Sequence, residues 1–242
     1  MRKQKIKLGV NVDHVATLRQ VRGGTTDYPD LLHLVKKSIK GGAEQVTIHL
    51  REDRRHIQLS DLEMMSKSCP VPLNLEMGGT PEMFKLAKKY MPSWVCLVPE
   101  KRQELTTEGG LNLSLNFRFL ETEISKLQAK GIEVSVFLEP SLEQVRLAHQ
   151  LGADAVEFHT GHWVIAQGEK KKKIWNQLVQ SAILCHELEM RVHAGHGLDF
   201  VHAPLIAKLP HLVEVNIGHS LICYALEFGL QTSVAMMKKK LK

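Results

Sequence analysis

The feature that most constrains the fold is a strand-like pattern that recurs eight times along the chain. In residues 45–51, apolar Val46, Ile48 and Leu50 alternate with polar side chains, and this period of two is that of a β-strand. Seven other segments have a comparable apolar face. The eight predicted strands are 7–13, 45–51, 72–77, 94–98, 132–139, 154–159, 190–195 and 212–218.

Segments with a helical period separate most of these strands, and several begin after a short oxygen side chain that can cap a helix. Because hairpins need only a few linking residues, connections of this length join parallel strands. Eight such units in 242 residues predict an α/β fold, the (β/α)8 TIM barrel, as one domain over residues 1–242. A doubly wound open sheet is the alternative. The helical segments are 30–41, 81–91, 141–152 and 175–189, with Asp30, Thr80 and Ser141 as candidate caps.

The net charge of +6 raises the question of a nucleic-acid partner, but it is concentrated in the lysine runs 170–173 and 238–242. Such runs are usually solvated helix faces or tails. The three Tyr and three Trp are not interleaved with Arg as a base-stacking surface would require. No apolar run approaches the ~20 residues that span a bilayer. We therefore expect neither a nucleic-acid nor a membrane partner.

A cytoplasmic location is predicted from the cysteines and the first residues. The four cysteines are far apart and form no CxxC pair, which favours thiols in a reducing compartment. The start MRKQKIKLGV runs from a basic hexapeptide almost directly into a strand, without the apolar stretch of a secretory signal.

Polar side chains occupy one face of the predicted strands. If the apolar face packs on helices, the polar face lines the barrel interior and its mouth, where the active sites of barrels lie. Unpaired buried charge is costly, so these groups must bond to one another or to a polar ligand. They are Asn11, Asp13, Thr47, His49, Arg51, Asn74, Glu76, Ser135, Glu139, Glu157, His159 and Asn216.

His49 and Glu76 are the first candidates for chemistry, because they end neighbouring strands on this face. Strands lie ~4.8 Å apart, so both side chains can reach one substrate. Imidazole suits proton transfer near neutral pH, and a partly desolvated glutamate can act as a base. A structural hydrogen bond between the two residues is the alternative.

Several loops could bind phosphate. Arg19 and Arg22 lie three residues apart, and either could hold a phosphate in a forked geometry, unless this is only a solvated loop. Glycines on both sides of His196 let the backbone approach a ligand. The helix that opens after residue 218 could offer free N–H groups, with Ser220 as a plain N-cap in the alternative reading.

The charged segment 99–110 ends in paired glycines, which is typical of a lid that closes over a ligand. A merely exposed loop is the alternative.

We predict no metal site, although histidines are plentiful. The pairs His159 and His162, and His193 and His196, resemble metal-ligand spacing, but residues three apart on a strand point to opposite faces. The sequence has no HExxH motif, and no GxGxxG or GxxxxGK[ST] motif for a nucleotide.

Together, these segments resemble the pyridoxine 5'-phosphate synthase family, the ring-closing enzymes of vitamin B6 biosynthesis. The matching motifs occur in consistent order over nearly the whole chain. They are GVNVDHVATLRQVRG (9–23), TIHLREDRRHI (47–57), LNLEM (73–77), CLVPEKRQELTTEGG (96–110), EFHTG (157–161), AGHGL (194–198) and EVNIGH (214–219).

The resemblance implies a barrel with extra helices, assembled as a homo-octamer in the cytoplasm and working without a metal or organic cofactor. It implies condensation of 1-deoxy-D-xylulose 5-phosphate with 3-amino-2-oxopropyl phosphate to give pyridoxine 5'-phosphate, phosphate and water. The implied catalytic residues are the proton acceptors His49 and Glu76, the proton donor His196 and the transition-state stabiliser Glu157. Implied contacts to the amino-ketone are Asn11, Arg22, Gly197, Gly218 and His219, and those to the sugar phosphate are Asp13, His14, Arg51, His56 and Thr106.

One departure from the family pattern is His193, where we expect asparagine in V-N-A-G-H-G. We favour His196 as the acid, because the AGHG context surrounds it. Two other functions stay open at this point. A phosphosugar isomerase or epimerase barrel would use a similar set of residues on one substrate, and a basic nucleic-acid-binding module would use the lysine runs.

Overall fold

The computed structural model describes residues 5–100, 104–106 and 109–242. Its eight parallel strands form a closed barrel in chain order, in which the last strand pairs with the first. The predicted (β/α)8 TIM barrel is confirmed, and the doubly wound alternative is wrong. The strands are β1 (Lys7–Asn11), β2 (Gln45–His49), β3 (Leu73–Met77), β4 (Trp94–Leu97), β5 (Glu133–Leu138), β6 (Ala155–His159), β7 (Arg191–Gly195) and β8 (Leu212–Ile217).

Helices cover the outside of the barrel, and eleven of them lie in the described residues. Several are additional to one helix per strand, as the family resemblance implies. They are α1 (Asp13–Gln20), α2 (Leu31–Gly41), α3 (Leu59–Ser68), α4 (Pro81–Tyr90), α5 (Phe117–Gln128), α6 (Leu142–Gln150), α7 (Gly161–Ile165), α8 (Gly168–Glu187), α9 (Ala203–Ile206), α10 (His219–Phe228) and α11 (Leu230–Lys240).

The predicted helix caps are confirmed. The side chains of Asp30, Thr80 and Ser141 each accept a hydrogen bond from the backbone N–H three residues later, at the starts of α2, α4 and α6. These bonds satisfy N–H groups that the first helical turn leaves without a partner. The helix predicted at 175–189 begins earlier, at Gly168, because the lysine run is part of α8.

The hydrophobic core lies between the strands and the helices. Leu8, Val10, Ile48, Val136 and Phe158 on the outward strand faces are completely buried. Burial of such side chains stabilises the fold by roughly 1.5–3 kcal/mol each. The polar strand positions therefore point into the barrel, which fixes the location of the site.

Three further expectations concern membrane-spanning helices, the cysteines and the lysine runs. Within the described residues, no helix has the length and apolar character needed to cross a bilayer. The four cysteines are free thiols, as predicted. Lys170, Lys172 and Lys173 are exposed on α8, as expected for a solvated helix face. Lys238 differs, since its Nζ donates to the Ile6 carbonyl at 2.9 Å and so attaches α11 to the chain before β1.

Candidate active site

A connected set of buried polar side chains fills the barrel interior. Asn216 donates to Glu157 at 2.8 Å, Thr47 donates to Asn216 at 3.2 Å, and Gln45 donates to Glu214 at 2.6 Å. All five side chains are buried. These five side chains thus follow the rule that buried polar groups are hydrogen-bonded, and they support the polar groups at the mouth from below.

Two glycines make room for this interior. A Cβ atom at Gly195 would lie 2.0 Å from Glu157 Oε1, and one at Gly9 would lie 2.0 Å from Asn216 Oδ1. Both distances are far below van der Waals contact. The lack of a side chain at Gly9 on β1 and at Gly195 on β7 therefore leaves the space that Asn216 and Glu157 occupy.

Above this layer, the ends of β1 to β4 carry a group that we call the carboxylate cluster: Asn11, Asp13, His49, Glu76 and Glu100. His49 Nδ1 lies 3.7 Å from Glu76 Oε2. Asn11 donates to Asp13 at 2.8 Å and to Glu76 at 3.4 Å. Asp13 accepts the backbone N–H of His49 at 2.8 Å. The predicted meeting of His49 and Glu76 is confirmed.

Glu100 is a member of this cluster that the sequence reading did not assign. Its carboxylate lies 3.2 Å from His49 Nε2 and accepts backbone N–H groups of Glu52 at 2.8 Å and Gly78 at 3.2 Å. Burial would raise the pKa of Glu100, but the hydrogen bonds from His49 and the Glu52 N–H outweigh it and lower the pKa. Glu100 therefore stays ionised beside His49. Its position just after β4 was the available signal, but this segment was interpreted only as a lid.

The pKa values of three other carboxyl groups, those of Asp13, Glu76 and Glu157, are raised. Burial raises the pKa of Glu76 well above its ordinary value, and the charges of Asp13 and Glu157 raise it further. Burial also raises the pKa of Glu157 to about 8 and that of Asp13 to about 6. Glu157 thus holds a proton at neutral pH, whereas the raised pKa of Glu76 makes it a stronger base than an ordinary carboxylate, so the site contains groups able to donate as well as accept.

The ends of β5 to β7 carry a second group, the imidazole cluster: Glu139, His159, His162 and His196. His159 Nδ1 donates to Glu139 Oε1, and His162 Nδ1 lies 3.3 Å from the same oxygen. The rings of His159 and His196 are 4.8 Å apart. The prediction that His159 and His162 point to opposite faces is wrong, because His162 lies on α7 and not on the strand.

The two histidines of the HAGHG segment, residues 193–197, have different surroundings. His196 is exposed at the mouth with a φ of +69°, followed by Gly197 at +79°. Partial desolvation and the charges of His159 and His162 lower the pKa of His196. His193 is buried inside the barrel, 3.7 Å from Glu214, and burial lowers its pKa to about 3. Only His196 is placed to exchange protons with a molecule at the mouth.

The predicted phosphate contacts surround the same opening. His14 and His219 are exposed and their rings lie 5.2 Å apart. Gly218 is the N-cap of α10, and a Cβ there would lie 3.0 Å from that of Asn11. The start of α10, where the first N–H groups lack helical partners, therefore packs closely against Asn11.

Of the remaining predicted contacts, His56 and Arg51 lie on the side of β2, whereas Thr106 lies beside Glu139 near the end of β5. The ring of His56 is 6.0 Å from that of His49, and burial lowers the pKa of His56 to about 4. Arg51 lies 3.4 Å from Asp53. The buried Thr106 hydroxyl makes no hydrogen bond within the described part of the chain.

Comparison with known proteins agrees with the arrangement. The model of the family described as pyridoxal phosphate biosynthesis protein PdxJ matches residues 8–242. The pyridoxine 5'-phosphate synthase of Bdellovibrio bacteriovorus is 65% identical over 240 residues, which are 99% of this chain and 100% of that protein. The chain belongs to this family. The pyridoxine 5'-phosphate synthase of Ehrlichia chaffeensis is 46% identical over 97% of this chain and 96% of its own length.

The family assignment confirms the resemblance that the seven motifs indicated. Among solved structures, 3-keto-L-gulonate-6-phosphate decarboxylase from Vibrio cholerae superposes with a TM-score of 0.66, covering 98% of this chain and 97% of its own. Its sequence identity is 10%, so this likeness concerns the barrel fold alone.

One candidate phosphate ligand is paired elsewhere, one alternative reading is wrong, and one predicted segment lies partly beyond the described residues. Arg19 is held by Asp61 in a bidentate ion pair at 2.8 and 2.6 Å, whereas Arg22 lies on the exposed turn after α1. Ser220 is not an N-cap, because its hydroxyl donates to the Leu198 carbonyl at 2.7 Å. Of the predicted lid 99–110, residues 101–103 and 107–108 lie outside the described residues.

Proposed function

We propose that this barrel condenses 1-deoxy-D-xylulose 5-phosphate with 3-amino-2-oxopropyl phosphate to give pyridoxine 5'-phosphate, phosphate and water. The observation that carries the proposal is 65% identity, over the whole length of both chains, to a pyridoxine 5'-phosphate synthase. The 3.7 Å contact between His49 and Glu76 at the barrel mouth supports the acid–base chemistry of this reaction.

In this proposal the two substrates bind at the mouth through neighbouring sets of contacts. The start of α10 supports the amino-ketone site, because free N–H groups at a helix N-terminus attract anions. Its contacts are Asn11, Arg22, Gly197, Gly218 and His219. The contacts to the sugar phosphate are Asp13, His14, Arg51, His56 and Thr106. Holding both molecules together can lower the barrier by ~7–11 kcal/mol.

The chemistry begins with an imine between the amine and the sugar ketone. Proton transfers by His49, Glu76 and His196 then lead to loss of phosphate, addition of water, ring closure and dehydration. Glu157, whose pKa is raised to about 8 by burial, stabilises a transition state through a proton that it retains at neutral pH. This sequence needs no metal or organic cofactor.

The proposal also covers organisation. Residues 1–242 form one domain, which the pairing of β1 with β8 supports. The protein is cytoplasmic, binds neither membrane nor nucleic acid, and assembles as a homo-octamer. Side chains left exposed on α10 support an assembly surface, since Tyr224, Leu226 and Phe228 are 39%, 76% and 49% exposed. Light scattering on the purified chain measures the subunit number directly.

The test is to mix the purified chain with both phosphates and to record the absorbance of the pyridinol product. The wild type forms product only when both substrates are present. Glu76→Gln lowers turnover by ~10²–10⁴-fold and leaves substrate binding nearly unchanged, because it removes proton transfer alone.

Turnover of either substrate by itself would favour an isomerase or epimerase instead. Full activity of the Glu76→Gln variant would remove Glu76 from the mechanism.

A further inference from the structure

The imidazole cluster presents three metal-ligating side chains around one point. Glu139 follows β5, His159 ends β6 and His162 lies on α7, and one ligand atom from each falls within 4.8 Å of the others. Glu139 is 4% exposed, and its Oε1 faces both imidazoles. A buried carboxylate must be paired, and this one is paired by groups that also bind metals.

The distances fit a small transition-metal ion. In a tetrahedral site with bonds of about 2.1 Å, ligand atoms are ~3.4 Å apart. Glu139 Oε1 and His162 Nδ1 are 3.3 Å apart, and His159 has only to turn its Nδ1 away from the direct hydrogen bond. The His162 side chain is 44% exposed, which gives an ion access from solvent.

The carboxylate cluster offers a rival site in Asp13, His49 and Glu76. There, however, Asn11 and the His49 backbone N–H already donate to Asp13, and Asn11 also donates to Glu76. An ion at this place would have to displace several hydrogen bonds from the backbone and an amide. An ion at Glu139 would displace only two contacts, the hydrogen bond from His159 and the 3.3 Å contact with His162.

We propose that Glu139, His159 and His162 form a binding site for a divalent transition-metal ion of borderline softness, such as Zn²⁺. Two imidazoles and one carboxylate suit Zn²⁺, Co²⁺ or Fe²⁺, and they disfavour Mg²⁺, which prefers oxygen ligands. Three protein ligands leave at least one position for water or an added molecule. The site is separate from the proposed reaction, which runs without a metal.

The experiment is a titration of the full chain, freed of metal by a chelator, with Zn²⁺ in a calorimeter. Wild type binds one Zn²⁺ per chain, and Mg²⁺ in excess does not compete. His162→Ala and Glu139→Gln each weaken binding by more than tenfold. His33→Ala, an exposed histidine on α2, and Glu76→Gln in the rival cluster bind as the wild type does. Co²⁺ then gives visible absorption bands that report a low-coordinate nitrogen and oxygen site.

Equal binding by wild type and His162→Ala overturns the proposal, as does loss of the ion in Glu76→Gln alone or no binding by wild type. Thermal unfolding of the metal-free variants controls for folding, and His162→Ala is expected to unfold close to wild type because nearly half of its side chain is exposed to solvent.

Discussion

The two clusters at the barrel mouth differ in what holds their side chains. In the carboxylate cluster, the acids accept from backbone N–H groups and an amide, and Glu100 holds the single imidazole of His49. In the imidazole cluster, His159 and His162 contact one carboxylate, Glu139, while His196 packs on the His159 ring, and the contacts run between side chains. Backbone contacts fix a group rigidly, whereas side-chain contacts can exchange partners.

This difference suggests a division of labour. Fixed, preorganised groups suit proton abstraction, where small displacements are costly. Imidazoles that can re-pair suit proton donation to changing intermediates and the capture of an ion. Glu157, buried on β6, is held by Asn216 of the interior network.

The largest expected effect distinguishes His196 from the nearby His193. His196→Asn lowers turnover by ~10²–10⁴-fold, because it removes the proposed acid from the imidazole cluster. His193→Asn introduces the asparagine expected from the family resemblance and leaves turnover close to wild type. Steady-state rates of both variants measure this. The reverse ranking would transfer the acid role to His193 and break the division between the clusters.

The next effect concerns Glu100 as a positioning residue. Glu100→Gln removes the charge that holds His49, and hydrogen bonds to charged groups contribute ~1.5–3 kcal/mol, which corresponds to a ~10–100-fold lower kcat. KM changes little, because substrate contacts remain. A variant that raises KM without lowering kcat would show that Glu100 acts in binding. Glu100→Asp, which keeps the charge, recovers part of the rate.

A smaller effect tests the space that Gly195 leaves for Glu157. Gly195→Ala places a Cβ on Glu157 and forces it to move, and overpacking of this kind costs ~1–3 kcal/mol. Each kcal/mol lowers Tm by roughly 2–4 °C at this chain length. The double variant with Glu157→Ala regains stability, since the clash is gone. Equal Tm values for wild type and Gly195→Ala would contradict the packing.

A further effect is a pH dependence of stability. Burial raises the pKa of Glu157 from 4.5 to about 8, so the folded protein keeps a proton that the unfolded chain releases between these values. The contribution to the free energy of unfolding is fully present below about pH 4.5 and is lost as pH rises through 8. Urea unfolding of Glu157→Gln should therefore vary less with pH in this window than that of wild type. Parallel pH profiles would place the titration on another group.

The barrel, and which face of each strand points inward, could be predicted because both depend on local patterns. Alternation along residues such as Thr47 and His49 fixes which side chains point inward, whatever the helices do. The meeting of His49 and Glu76 followed from their places at the ends of neighbouring strands.

Contacts made by loops could not be predicted in the same way. Arg19 was interpreted as a phosphate ligand, but its partner Asp61 is 42 residues away, on another helix. Glu100 and His162 lie just beyond strand ends, where alternation no longer indicates direction. The second cluster was missed for this reason, since His162 reaches Glu139 only through the turn into α7.

The pairing of β1 with β8 has a consequence for how the chain is made. The first strand leaves the ribosome early, but its neighbour on one side is among the last segments synthesised. At ~5–20 residues per second, roughly 10–40 s separate the two. Throughout that time β1 has an exposed edge able to pair with other nascent chains, so yield in the cell depends on shielding that edge until translation ends.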